Sequence, residues 1–242
     1  MSKTVAPFLR SLAKRLIPLR WGLASLSLVL LGGVLANTPG VVLTPEQISQ
    51  AGTKYGETAV KRLNAWQELI KNSKDKDVME KLNLVNDFFN GSIRYANDIN
   101  HWGVKDYWAT PVETLGTGKG DCEDYAIAKY LSLRELGLAD ENLRISYVKY
   151  RKKGTAYEEA HMVLSYYESL NKEPYILDNI NKSLLKASAR TDLIPVYSFN
   201  ADGLWVAKGG GAGQKAGSSS RLKAWNSVRE KMAGNGQLAA AD

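Results

Sequence analysis

Apolar residues recur at helical spacing through the first half of the chain and at alternating positions through the second. Thr44-Pro45-Glu46-Gln47 offers an N-cap, a proline at the first helical position and a capping-box glutamine, so a helix starts there. Val60, Leu63, Trp66, Leu69 and Ile70 predict a second helix, about Thr58 to Lys71. Leu82, Val85, Phe88 and Phe89 predict a third, about Val78 to Asn90. From Asn90 to Gly120 the periodicity lapses and loop is expected, its Trp102, Tyr107 and Trp108 either packing over the next helix or forming a recognition surface. That next helix starts after Asp121, carries Ala126, Ile127, Tyr130, Leu133 and Leu136 inward, and stops at Gly137. Beyond it, Leu143 to Tyr150, Ala160 to Tyr167, Tyr175 to Ile180, Pro195 to Phe199 and Leu204 to Ala207 read as strands joined by short polar loops. The expected class is α+β, a helical N-terminal half packed on an antiparallel meander.

The two ends differ from this middle. Lys3, Arg10, Lys14, Arg15 and Arg20 form a basic leader without an acid, followed by the apolar run Trp21 to Leu35 and small residues up to Ala36. Residues 1–36 therefore read as a signal peptide, which predicts export to the periplasm and no stable membrane span after cleavage. An uncleaved anchor is the alternative, although the run falls short of the roughly 20 residues a spanning helix needs. Residues 37–207 suit one domain. Residues 208–242 read as a Gly/Ser-rich linker and basic tail, with a short helix from about Arg221 to Met232 and solvent around it. The net charge of +7 sits on the leader and tail, leaving the middle mildly acidic. That excludes a nucleic-acid-binding domain, whose basic footprint belongs on the folded part.

Cys122 is the sole cysteine, so no intrachain disulfide can form. It lies in the first turn of the predicted helix, in Gly118-Lys119-Gly120-Asp121-Cys122-Glu123-Asp124, where the helix N-terminus favours a thiolate. Asp121, Glu123 and Asp124 oppose this, since surrounding negative charge raises a thiol pKa. Either Cys122 is not used as a thiolate, or something positive neutralises the cluster, a protonated histidine on one side and a bound cation on the other. His161 and Asp178 fall on successive predicted strands. A hairpin centred between Ser169 and Leu170 sets them directly opposite, with Cβ atoms about 5 Å apart. A one-residue slip would turn Asp178 to the other face. His101, the other histidine, is the weaker candidate base.

Gly120-Asp121-Cys122-Glu123-Asp124-Tyr125-Ala126, Ala160-His161-Met162-Val163-Leu164 and Leu177-Asp178-Asn179 resemble the LapG-like bacterial transglutaminase-like cysteine proteinases. So do His101-Trp102-Gly103, Asp106 to Pro111 and Pro195 to Asn200, and the resemblance spans about Thr58 to Val206. It implies a papain-like, transglutaminase-type fold with Cys122 as nucleophile, His161 as base and Asp178 orienting it. It further implies a periplasmic endopeptidase that cuts the N-terminal region of a large surface adhesin at a di-alanine site, releasing it and dispersing biofilm. The same resemblance implies inhibition by an inner-membrane cyclic-di-GMP receptor of the LapD type. It also implies a requirement for calcium held by Asp121, Glu123 and Asp124. The catalytic groups alone are equally compatible with transglutamination, and the aromatic loop leaves open a non-catalytic adaptor that binds a receptor. The tail from Lys208 departs from the family pattern.

Overall fold

The structure, a computed structural model, is described for residues 41–208 and 212–233; the signal-peptide reading of residues 1–36 lies outside them. Three helices come first: α1 (Pro45–Tyr55), α2 (Glu57–Ser73) and α3 (Val78–Ser92). Thr44 and Gln47 form the expected reciprocal cap on α1, and Asp77 caps α3 by accepting the Glu80 N–H at 2.8 Å.

The stretch expected to be loop is more ordered than its periodicity suggests. It holds β1 (Arg94–Tyr95), α4 (Asp98–His101), α5 (Pro111–Thr117) and β2 (Lys119–Gly120), with β1 and β2 pairing in parallel. Thr110-Pro111-Val112-Glu113 repeats the capping signal of Thr44-Pro45-Glu46-Gln47, and here too the box closes: Thr110 N–H donates to Glu113 Oε2 at 2.7 Å. The helix escaped the reading because seven residues, buried on nearly every side, present no amphipathic stripe.

Helix α6 (Cys122–Glu135) occupies the centre, buried from Glu123 to Leu133, with β3 (Leu143–Arg151) and β4 (Glu158–Tyr166) on one side and α3 and α5 on others. The sheet is completed by β5 (Tyr175–Leu177), β6 (Leu185–Lys186), β7 (Leu193–Phe199), β8 (Leu204–Val206) and β9 (Gln214–Gly217), in the order β6-β5-β4-β3-β7-β8-β9, each pair antiparallel. It is not the simple meander expected. After β6 the chain crosses over and adds β7 to the free side of β3, so that β3, buried along most of its length, lies in the interior of the sheet. Among the described residues no helix is long and apolar enough to cross a membrane.

The domain does not end near Ala207, and the solvated tail is corrected here. Strand β9 pairs with β8, and helix α7 (Lys223–Ala233) packs Trp225, Val228 and Met232 into the core. The Trp225 ring meets Tyr130 edge-on at 5.7 Å and Phe199 at 5.5 Å between centroids. The Gly/Ser-rich composition before this helix obscured its apolar stripe. Trp225→Ala should therefore lower unfolding free energy by about 3–5 kcal/mol in urea titrations; a solvated tail would leave it unchanged.

Candidate active site

The start of α6 is held by its own acids. Asp124, fully buried, accepts the Asp121 N–H on Oδ2 at 3.2 Å and the Ala109 N–H on Oδ1 at 2.8 Å. It thus ties the segment before α5 to the first turn of α6. Gly120 is required at this approach, because a Cβ there would stand 2.8 Å from Asp124. Arg62 reaches from α2 to the C-terminus of α5, donating to the carbonyls of Leu115 and Gly116, and so steadies the chain entering β2 and Cys122.

Cys122 donates its thiol proton to Glu123 Oε2 at 2.9 Å, and the sulfur also meets the backbone of Met162, the residue after His161. Burial, then the charges and hydrogen bond of Glu123 and the charge of Asp121, push the thiol well above its ordinary range. The electrostatic conflict read in the sequence is thus present in the fold.

Further carboxylates gather here than the sequence placed. Asp98, on α4, brings an oxygen within 4.8 Å of those of Asp121 and Asp124; Asp98, Asp106 and Glu123 form a second such group, and Asp121, Cys122 and Glu123 a third. Burial, against the pull of the Tyr107 N–H, lifts the Asp98 carboxyl to about 6. Burial and the charges of Glu123 and Asp124 lift Asp121 to about 10. Oδ1 of Asp98 and Oδ1 of Asp121 are buried without a hydrogen-bond partner. Such orphaned hard oxygens beside uncompensated charge are the donor set a calcium-like ion takes. Asp121 and Glu123, expected as metal ligands, each belong to two of these groups. Asp124 faces the same cluster, but both of its oxygens already accept backbone N–H groups. Only the chain's return through α4 and the following loop brings Asp98 and Asp106 near, which nothing in the local sequence places.

His161 and Asp178 meet: Nε2 lies 2.8 Å from Oδ1, and both residues are buried. Their strands do not pair in the expected register, however. Leu164 faces Leu177 and Tyr166 faces Tyr175; β5 ends at Leu177, short of the expected Ile180, and the register carried one residue further sets Val163 rather than His161 opposite position 178. The hairpin is displaced by two residues. Because side-chain direction has a period of two, the displacement keeps both residues on one face, and they bond diagonally. Burial alone would raise the Asp178 carboxyl. The hydrogen bond and charge of His161, the Ile180 N–H and Arg190 outweigh it and hold that carboxyl well below the usual carboxylate range.

His101 stacks on Trp102 at 4.2 Å, Trp102 lies 4.6 Å from Tyr107, and Trp108 stacks on Phe199 at 5.7 Å. Trp108 thus takes the packing role. Lys129, Asn86, Asn90 and Arg190 surround Asp178 and were not singled out by the sequence. A lysine at a core position of α6 was the available signal.

The family described as bacterial transglutaminase-like cysteine proteinase matches residues 55–208. Among solved structures, Legionella pneumophila LapG in its EGTA-treated form is 41% identical, with a TM-score of 0.67, over 80% of this chain and 99% of that one. The calcium-bound form of the same protein is 42% identical, with a TM-score of 0.65, over 78% of this chain and 99% of that one. No curated protein matches. With the fold and the extent of both likenesses in agreement, the chain belongs to the bacterial transglutaminase-like cysteine proteinases.

Proposed function

We propose that the protein is a calcium-dependent cysteine endopeptidase in which Cys122 is the nucleophile, His161 the base and Asp178 the residue that orients it. The observation that carries this reading is the buried His161–Asp178 hydrogen bond beside the strand residue that touches the chain's one thiol. With Nε2 engaged by Asp178, Nδ1 is the ring nitrogen left to take the sulfur's proton. The thiolate attacks the scissile carbonyl, His161 returns the proton to the leaving amine, and water then hydrolyses the acyl-enzyme with His161 as base. Backbone N–H groups at the start of α6, that of Cys122 among them, are suited to receive the developing oxyanion.

Calcium would be held by Asp121, Glu123 and Asp98, with Asp106 at the edge of the cluster and Asp124 shaping it. What it supplies is electrostatic, compensating the carboxylates that otherwise keep the proton on sulfur. That LapG exists in calcium-bound and EGTA-treated forms supports this assignment. The leader and the family likeness support action in the periplasm on the N-terminal region of a large surface adhesin, at a di-alanine site, with release of the adhesin and dispersal of biofilm. They likewise support restraint by an inner-membrane cyclic-di-GMP receptor of the LapD type.

Mixing the purified protein with the N-terminal part of a large adhesin from the same genome should give cleavage with calcium and none with EGTA. Cys122→Ala, His161→Ala and Asp178→Ala should each slow cleavage by roughly 10³-fold or more; full activity in Cys122→Ala would end this reading. A labelled amine incorporated in place of water would instead identify a transferase. Asp121→Ala should abolish both cleavage and calcium binding by calorimetry.

Stability in EGTA should also fall as pH rises. The unfolded chain loses the Asp98 and Asp121 protons near pH 4, whereas the fold keeps them to about 6 and about 10. Between these limits the folded state holds more protons, so unfolding free energy declines from about pH 5 to 9. Saturating calcium should flatten the decline in urea melts.

A further inference from the structure

Asp178 is gripped at two separate points. Its main-chain carbonyl accepts Lys129 Nζ at 3.1 Å and Asn90 Nδ2 at 2.9 Å. Lys129 is wholly buried and lies seven residues after Cys122, on the same face of α6. Its other hydrogen bonds go to Asn86 Oδ1 at 3.0 Å and Asn90 Oδ1 at 2.9 Å. These bonds fix the backbone and leave the side-chain rotamer free.

The rotamer is set elsewhere. Arg190, 2% exposed, lies beyond a 3₁₀ turn before β7 and donates from Nη2 to Asp178 Oδ2 at 2.7 Å. The same guanidinium is anchored by a fork on Asp192, Nε to Oδ1 at 2.9 Å and Nη2 to Oδ2 at 2.8 Å. A planar group held at two edges has little freedom to follow a moving carboxylate. Oδ2 is therefore pinned, and Oδ1 is the oxygen presented to His161 Nε2 and the Ile180 N–H.

We propose that Arg190 is a positioning residue of the reaction centre, holding Asp178 in the one rotamer that orients His161. The role rests on the Cys-His-Asp reading above, and acts wholly through Asp178.

Two probes separate it from a merely structural role. Cys122 is the sole thiol, so carbamidomethylation by iodoacetamide reports the centre without a protein substrate. The chain has two histidines, and the ring nitrogens of His101 have no partner, so a protected downfield imidazole N–H in ¹⁵N-histidine-labelled protein belongs to His161. Arg190→Met should lose that resonance and slow alkylation about tenfold or more, while still unfolding cooperatively. Arg190→Lys, which keeps the charge without the fork, should show a shifted resonance and alkylation about two- to fivefold slower. A folded Arg190→Met with the wild-type resonance and wild-type alkylation would overturn the proposal. Should Arg190→Met not fold, wild-type values for both probes in Arg190→Lys would do the same. Failure of the triad reading looks different: His161→Ala would leave alkylation unchanged, while the imidazole resonance in the Arg190 variants would still report whether Arg190 holds the pair.

Discussion

Burial of α6 on nearly every side means that each polar group it carries inward must be answered by another element. Ser132 accepts the Trp66 indole N–H at 2.9 Å and donates to the Ala128 carbonyl at 2.7 Å. Lys129 is answered by Asn86, Asn90 and the Asp178 carbonyl, and its burial lowers its pKa to about 7. Asp124 is answered by two backbone N–H groups. The helix that carries the thiol is in this way also the post to which the backbone of Asp178 is tied.

Buried carboxylates in two parts of the domain receive opposite treatment. Asp178 sits among donors and stays ionised, whereas Asp98 and Asp121 sit among other acids and are driven toward protonation. The first arrangement is complete and suits a residue that must hold one charge and one orientation. The second leaves oxygens unpaired and lacks a positive partner among the described residues, as a site built around a cation does. The thiol belongs to the second, donating its proton to Glu123. The C-terminal helix reaches the same region: Lys231 donates to the Trp108 carbonyl at 2.8 Å and to Glu113 Oε2 at 3.0 Å, steadying the segment that presents Ala109 to Asp124.

Local signals were legible where they were complete in one stretch of chain. The caps at Thr44 and Asp121, the stripes of α2 and α3 and the alternation of β3 and β4 each depend on neighbours within a few residues. The same kind of signal was present and overlooked at Thr110, where no amphipathic stripe followed it; the tail helix was read, but its Trp225, Val228 and Met232 were not taken as core because a Gly-rich stretch came before.

Residue identity and short-range spacing by themselves determined the α+β class, the helix that starts at Cys122, and the common side on which His161 and Asp178 meet. A two-residue error in hairpin register left that side intact, because side-chain direction repeats every two residues. Only tertiary structure decided that β7 crosses to the far side of β3, that Asp98 joins the acids beside the thiol, and that Arg190 and Lys129 hold Asp178. Those pairings join residues whose separation along the chain carries no periodic signal, and they follow from how a buried helix and a two-sided sheet must satisfy their polar groups once packed.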